Sequence, residues 1–234
     1  MSNDWFRFRQ FLIRQEQSAM KVGTDGVLLG AWAETTNPQH ILDIGTGTGL
    51  IALMMAQRYV QASIDAIEID PDSAREAAEN VSASPWSNRI KIIQADFLLW
   101  ESTGTYDLIL CNPPYFKNSL LPPRDKRSAA RHEHSLPLTD LVSRSSQLLT
   151  AEGSLAIVIP AGRLSEVEQT AGPAGLYLNK ILQIRGTNKA PVKRVLIRLD
   201  KNPLPAEIKE LVIEPEQRGV FSEDYRKFVE GFYL

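Results

Sequence analysis

The sequence predicts an α/β fold, a doubly wound and mostly parallel sheet of seven strands with an antiparallel edge and a short amino-terminal hairpin. Three observations predict it. Short buried-strand patterns alternate with helical ones from His40 onward, a glycine-rich turn joins the first strand to the first helix of that series, and late strands alternate in polarity as edge strands do.

"WFRFRQFLIRQ" (Trp5 to Gln15) alternates like a strand or hairpin. "HILDIG" (His40 to Gly45) is a strand, "GTGTG" a turn, and "LIALMMAQRY" (Leu50 to Tyr59) an apolar helix. "SIDAIEID" (Ser63 to Asp70) is a second strand, and "PDSAREAAENVSA" (Pro71 to Ala83) opens with the proline that suits a first helical turn. Together these make a βαβ unit. "IKIIQAD" (Ile90 to Asp96), "YDLILCN" (Tyr106 to Asn112) and "GSLAIVIP" (Gly153 to Pro160) are three more strands, and helical "LTDLVSRSSQLL" (Leu138 to Leu149) precedes the last. "LYLNKILQIR" (Leu176 to Arg185) and "PVKRVLIRL" (Pro191 to Leu199) suit an antiparallel pair. In such a sheet, ligands bind beyond the carboxyl ends of the strands.

The chain has 234 residues, 43% of them hydrophobic, which fits one large domain with a full core. We expect residues 1–35 to form an extension and cap helix, 36–200 the core of the domain, and 201–234 a carboxyl-terminal extension. No uninterrupted apolar stretch is long enough for a membrane span, and "MSNDWFRFRQ" lacks the apolar core of a signal peptide, so a cytoplasmic protein is expected. The single cysteine, Cys111, excludes an internal disulfide and a cysteine cage for a metal, and reads as a buried strand-end hydrophobe. A net charge of −2 means that any polyanion must meet a local basic patch. "KNSLLPPRDKRSAARHEHS" (Lys117 to Ser135) has no apolar period and reads as a long functional loop.

Glycines 45, 47 and 49 allow backbone N–H groups to approach a ligand at the start of a helix. A dinucleotide fingerprint needs its third glycine one place later, where Leu50 stands, so another nucleoside cofactor fits better. Glu68 ends the second strand and is placed to accept both hydroxyls of a ribose. Asp96 ends the third, placed to accept from an adenine amino group, and Phe97 beside it is counted with the cofactor-binding residues. Asp43, inside the first strand end, is placed to face an amino or sulfonium cation. Singly, Glu68 and Asp96 each read equally well as a solvated strand end. Three at successive strand ends beside one glycine loop point to a single site.

With these residues, "DIGTGTGL" above all, the stretch from Ile41 to Pro160 resembles the class I S-adenosylmethionine-dependent methyltransferases. In that fold the end of the fourth strand lies beside the transferable methyl group, and "NPPY" (Asn112 to Tyr115) stands there. The signature is similar to that of amino methyltransferases acting on adenine N6, guanine N2 or glutamine N5. Their substrate nitrogen has a delocalised lone pair and is a poor nucleophile, but its protons are good donors. The Asn112 side-chain oxygen and the Pro113 carbonyl would accept those two N–H groups as positive charge develops. Tyr115 would stack on a planar substrate, Pro114 stiffens the turn, and Asn112 also counts as a cofactor contact. No metal is required. His132 and His134 lack a third ligand at a recognised spacing and read as solvated loop residues.

Glutamine methyltransferases of release factors carry a helical domain before the first motif, where this chain has about 40 residues, and a DNA adenine methyltransferase needs a target-recognition region. Lys117, Arg124, Lys126, Arg127 and Arg131 follow the aromatic pair Tyr115 and Phe116 and favour RNA; Arg7, Arg9, Arg14, Lys189, Lys193 and Arg194 would extend the patch. "MKVGTDGVLLGAWA" (Met20 to Ala33), "LDIGTGTGLIALMMAQR", "AIEID", "CNPPYF" and "ARHE" together closely resemble the bacterial tRNA(valine) adenosine-37 N6-methyltransferases. In such proteins the "GTD" element starts a helix over the cofactor, which makes Thr24 the candidate for its carboxylate end. The resemblance implies S-adenosylmethionine as cofactor and position 37 of a valine tRNA as target. Ribosomal RNA or a protein glutamine as substrate, and an RNA-binding protein without turnover, are the alternatives.

Overall fold

The computed structural model describes residues 4–18, 21–114 and 136–232. Strands β1 (Trp5–Arg7) and β2 (Leu12–Arg14) pair antiparallel as the expected hairpin, Phe6 opposite Ile13. Its turn residues Phe8 and Phe11 stack at 4.5 Å between ring centroids and are buried, so the hairpin is anchored through its aromatic tip.

Helix α1 (Thr24–Trp32) follows, then β3 (His40–Ile44), α2 (Leu50–Arg58), β4 (Ser63–Glu68), α3 (Pro71–Ser82), β5 (Ile90–Gln94) and β6 (Tyr106–Cys111). After them come α4 (Leu138–Leu148), β7 (Leu149–Pro160), α5 (Leu164–Ala171), β8 (Tyr177–Arg185), β9 (Arg194–Asp200), β10 (Glu207–Val212) and α6 (Glu223–Val229). The order across the sheet is β10-β8-β9-β7-β6-β3-β4-β5.

Strands β5, β4, β3, β6 and β7 run parallel, and β9 is antiparallel to both β7 and β8, as the late alternating segments predict. The sheet differs from expectation by one strand. β10, in the segment taken as an extension, pairs parallel with β8 and makes eight strands instead of seven. Its sequence, EIKELV, is charged because four of its six residues are exposed at the sheet edge.

Side chains alternate between two cores, as the two-residue strand period requires. Ile41, Leu108, Leu110, Ala156 and Val158 join the core under α1, α2 and α6. Leu42, Ile44, Ile109, Cys111, Leu155 and Ile157 join the core under α4 and α5. Helix α2 is buried from Leu50 to Ala56 and packs closely on α1. A Cβ on Gly30 would stand 2.5 Å from the Met54 sulfur, so any larger residue there would force the Met54 side chain to shift. The Arg58 guanidinium donates to the Ala31 and Ala33 carbonyls and closes the carboxyl end of α1. Among the described residues no helix is long and apolar enough to cross a membrane.

The chain runs outward from β3 through β4 to β5, then returns to the other flank of β3 at β6. The switch point therefore lies between β3 and β6. Ile44 pairs with Cys111 there, so the glycine loop and the Asn112 turn leave the sheet side by side.

Candidate active site

All three glycines of the loop have positive φ: 69° at Gly45, 57° at Gly47 and 84° at Gly49. L side chains disfavour that region, which is why three glycines are needed in five residues. The Gly45 and Thr46 N–H groups both donate to the Ile67 carbonyl, turning the loop back across β4. A Cβ on Gly45 would meet nothing within 4 Å, so that side of the loop is open.

Asp43 is fully buried. Its Oδ2 accepts from the Thr46 hydroxyl at 2.6 Å and the Ala52 N–H at 3.1 Å, while its Oδ1 is buried with no hydrogen-bond partner among the described residues. Burial pushes its carboxyl up to about 7, with the Glu68 charge adding to the shift. Glu68, also buried, accepts from the Gly47 N–H at 2.8 Å and the Asp70 N–H at 3.0 Å, and burial raises its pKa as well. Both acids raise the buried Cys111 thiol well above its ordinary range, after burial itself. The switch point thus buries two carboxyls whose charged forms are disfavoured, without a neutralising cation among its described contacts, and a positively charged ligand group would favour their ionisation.

Asp96 lies two residues beyond β5, half-buried, with Oδ1 accepting from the Leu98 N–H at 2.8 Å. The Phe97 ring packs into the core under α4, where the Arg144 guanidinium stands 5.6 Å from its centroid and donates to the Phe97 carbonyl. Only its backbone belongs to the strand-end turn.

Asn112 is half-buried, Pro113 buried and Pro114 exposed. Helix α1 begins over this turn: a Cβ on Gly26 would stand 3.7 Å from Asn112 Nδ2 and 3.1 Å from Leu50 Cδ2. Thr24 is the exposed first residue of α1, whose amino-terminal cap, Gly23, supplies no side-chain hydrogen bond. First-turn N–H groups and the helix dipole there suit a carboxylate. Tyr115, Phe116, Lys117, Arg124, Lys126, Arg127 and Arg131, with His132 and His134, lie outside the described residues.

Two features have no sequence signal. Asp25, inside "GTD", pairs with Arg194 at 2.7 Å and ties α1 to the start of β9. Glu76 and Asn80 of α3 grip the backbone of residues 14–18, through partners about sixty positions away in the chain. Exposed Lys189 and Lys193 lie in the segment between β8 and β9, and Lys193 and Arg194 stand at the same sheet end as Asn112, since Arg194 pairs with Pro160 at the end of β7.

A family model described as the methyltransferase small domain matches residues 18–166, a span holding Asp43, the glycines, Glu68, Asp96 and Asn112. The chain belongs to that family. Over its full length it is 43% identical to the tRNA1(Val) (adenine(37)-N6)-methyltransferase of Bacteroides thetaiotaomicron, covering 99% of that protein, and 42% identical to that of Trichodesmium erythraeum, with the same coverage.

Solved structures agree on the fold. A predicted O-methyltransferase from Agrobacterium tumefaciens superposes with a TM-score of 0.68 at 18% identity, covering 89% of this chain and 96% of its own. A TehB-like S-adenosylmethionine-dependent methyltransferase from Corynebacterium glutamicum gives 0.51 at 16% identity, over 77% and 89%. The protein is a methyltransferase with a Rossmann-like sheet.

Proposed function

We propose that this methyltransferase transfers a methyl group from S-adenosylmethionine to N6 of adenosine 37 in tRNA1(Val), as one cytoplasmic domain. The observation that carries the reading is the pairing of Ile44 with Cys111, which brings the glycine loop and the Asn112-Pro113-Pro114 turn together at the switch point. The full-length likeness to enzymes named for that reaction supports the substrate.

The residues present fit the cofactor. The buried, unpartnered Oδ1 of Asp43 suits an amino or sulfonium cation, and the open space at Gly45 admits a nucleoside. Glu68 holds two backbone N–H groups and keeps lone pairs for the ribose hydroxyls. Asp96 keeps Oδ2 for the adenine amino group, and Thr24 with the first turn of α1 takes the carboxylate. When bound, S-adenosylmethionine supplies an electrophilic methyl carbon on a sulfonium leaving group.

The protein's part is to aim the acceptor. The Asn112 side-chain oxygen and the Pro113 carbonyl accept the two N–H groups of the adenine amino group, so its nitrogen becomes pyramidal and presents its lone pair to the methyl carbon. Positive charge grows on N6 as that bond forms, and the same two acceptors stabilise it. The nitrogen then releases one proton to water. Tyr115 and Phe116 stack the target base, and Lys117, Arg124, Lys126, Arg127 and Arg131 bind phosphates.

Incubation of the protein with labelled S-adenosylmethionine and unmodified tRNA, followed by nucleoside mass analysis, tests this. N6-methyladenosine is expected. Cofactor binding without label in tRNA would overturn it.

A further inference from the structure

Glu76 and Asn80 are four residues apart and share one face of α3, both almost completely buried. Among the described residues no cation pairs with Glu76. Its Oε1 accepts the Glu16 and Gln17 N–H groups at 2.6 and 2.8 Å, and its Oε2 the Ser18 N–H at 2.7 Å. Three successive backbone donors on a buried carboxylate form a charge-assisted clamp. Asn80 accepts the Arg14 N–H at 2.8 Å and donates to the Arg14 carbonyl and to the Thr48 carbonyl of the glycine loop, each at 2.9 Å.

Helix α3 therefore holds two things at once, the segment 14–18 and the glycine loop. The two are close neighbours: Ser18 Oγ lies 3.9 Å from where a Cβ on Gly47 would stand. Gly47 in turn donates to Glu68, the acid assigned to the ribose. We propose that Glu76 is a positioning residue for the cofactor, fixing Glu16–Ser18 as a wall of the nucleoside pocket beside Gly47 and Glu68. This rests on the S-adenosylmethionine reading and extends it to a residue that touches neither cofactor nor substrate.

The competing account is that Glu76 only fastens the amino-terminal hairpin to the fold. The two differ in what Glu76→Gln does. The amide keeps the shape but has one acceptor oxygen, so its NH2 confronts at least one of the three N–H groups. A positioning role predicts that the Kd and KM for S-adenosylmethionine rise about tenfold or more, while kcat and the KM for tRNA stay within about twofold. Arg89→Lys is the control. Arg89 donates to the Ala56, Tyr59 and Ala62 carbonyls away from the loop, and its loss should lower Tm without changing cofactor affinity.

Calorimetric titration of S-adenosylmethionine into wild type, Glu76→Gln and Arg89→Lys, with Tm measured without ligand, decides between them. Selective loss of cofactor affinity in Glu76→Gln supports the inference. A lowered Tm with wild-type cofactor binding, or equal rises in both KM values, overturns it. If Glu76→Gln does not fold, Glu76→Asp, with the same charge on a shorter stem, is judged by the same outcomes. Wild type that binds no S-adenosylmethionine would instead sink the cofactor reading.

Discussion

The Gly47 N–H donates a 2.8 Å hydrogen bond to the Glu68 carboxylate, so the acid at the end of β4 is a structural part of the loop that follows β3. The same carboxylate holds the Asp70 N–H that begins the turn into α3. Glu68→Ala leaves both N–H groups, which are part-buried, without that acceptor, at a cost of about 1 kcal/mol each. We expect a lower urea midpoint together with roughly a hundredfold weaker binding of S-adenosylmethionine, measured by calorimetry. Loss of stability with unchanged affinity would remove Glu68 from the ribose site.

Asn112 is assigned an interaction that matures only as charge develops on the substrate nitrogen. Asn112→Ala should lower kcat by about 10²–10³-fold, far more than it weakens cofactor binding, in single-turnover assays with saturating tRNA. A rise in KM with unchanged kcat would make Asn112 a binding group only.

The Asp43 carboxyl titrates at about 7 in the folded protein because burial disfavours its charge, against 3.8 as the ordinary value. Between those values the folded protein keeps a proton that the unfolded chain has lost, so this group's contribution to stability falls as pH rises from about 4 to 7 and levels off above. At about 1.4 kcal/mol per unit the loss is at most ~4 kcal/mol. Glu68 shifts the same way, so Asp43→Asn should make the decline shallower without abolishing it. Urea unfolding of both proteins across that range checks this. Equal slopes would contradict it.

Gly49 caps α2 at φ 84°, and a Cβ there would meet Ala77 at an ordinary 3.6 Å. Space is available, so the cost of Gly49→Ala is backbone strain of about 1–2 kcal/mol. Thermal denaturation should show Tm lower by about 2–8 °C. An unchanged Tm would mean that the loop relaxes to negative φ.

Most of what builds the switch point was legible because it is local in sequence. Each glycine marks a positive-φ position, each acid lies within two residues of a strand end, and the two prolines after Asn112 stop β6 where the pattern says it stops. β10 was hidden because an exposed edge strand needs no apolar alternation, and EIKELV presents four exposed residues. Glu76 and Asn80 carry no such local mark. Their partners are backbone groups of residues 14–18 and Thr48, which leave no side-chain signature. Asp25 looked like part of a cofactor motif but pairs with Arg194, which comes from a strand 169 positions away. The placement of Phe97 was half legible: its position after β5 follows from the pattern, its ring's burial under Arg144 does not.

The most direct test of the central claim compares two unmodified tRNA1(Val) transcripts, one natural and one with guanosine in place of adenosine 37, under labelled S-adenosylmethionine. The account predicts label in the first alone, recovered as N6-methyladenosine and absent with Asn112→Ala. Label in both transcripts, or in neither while the cofactor is bound, would contradict it.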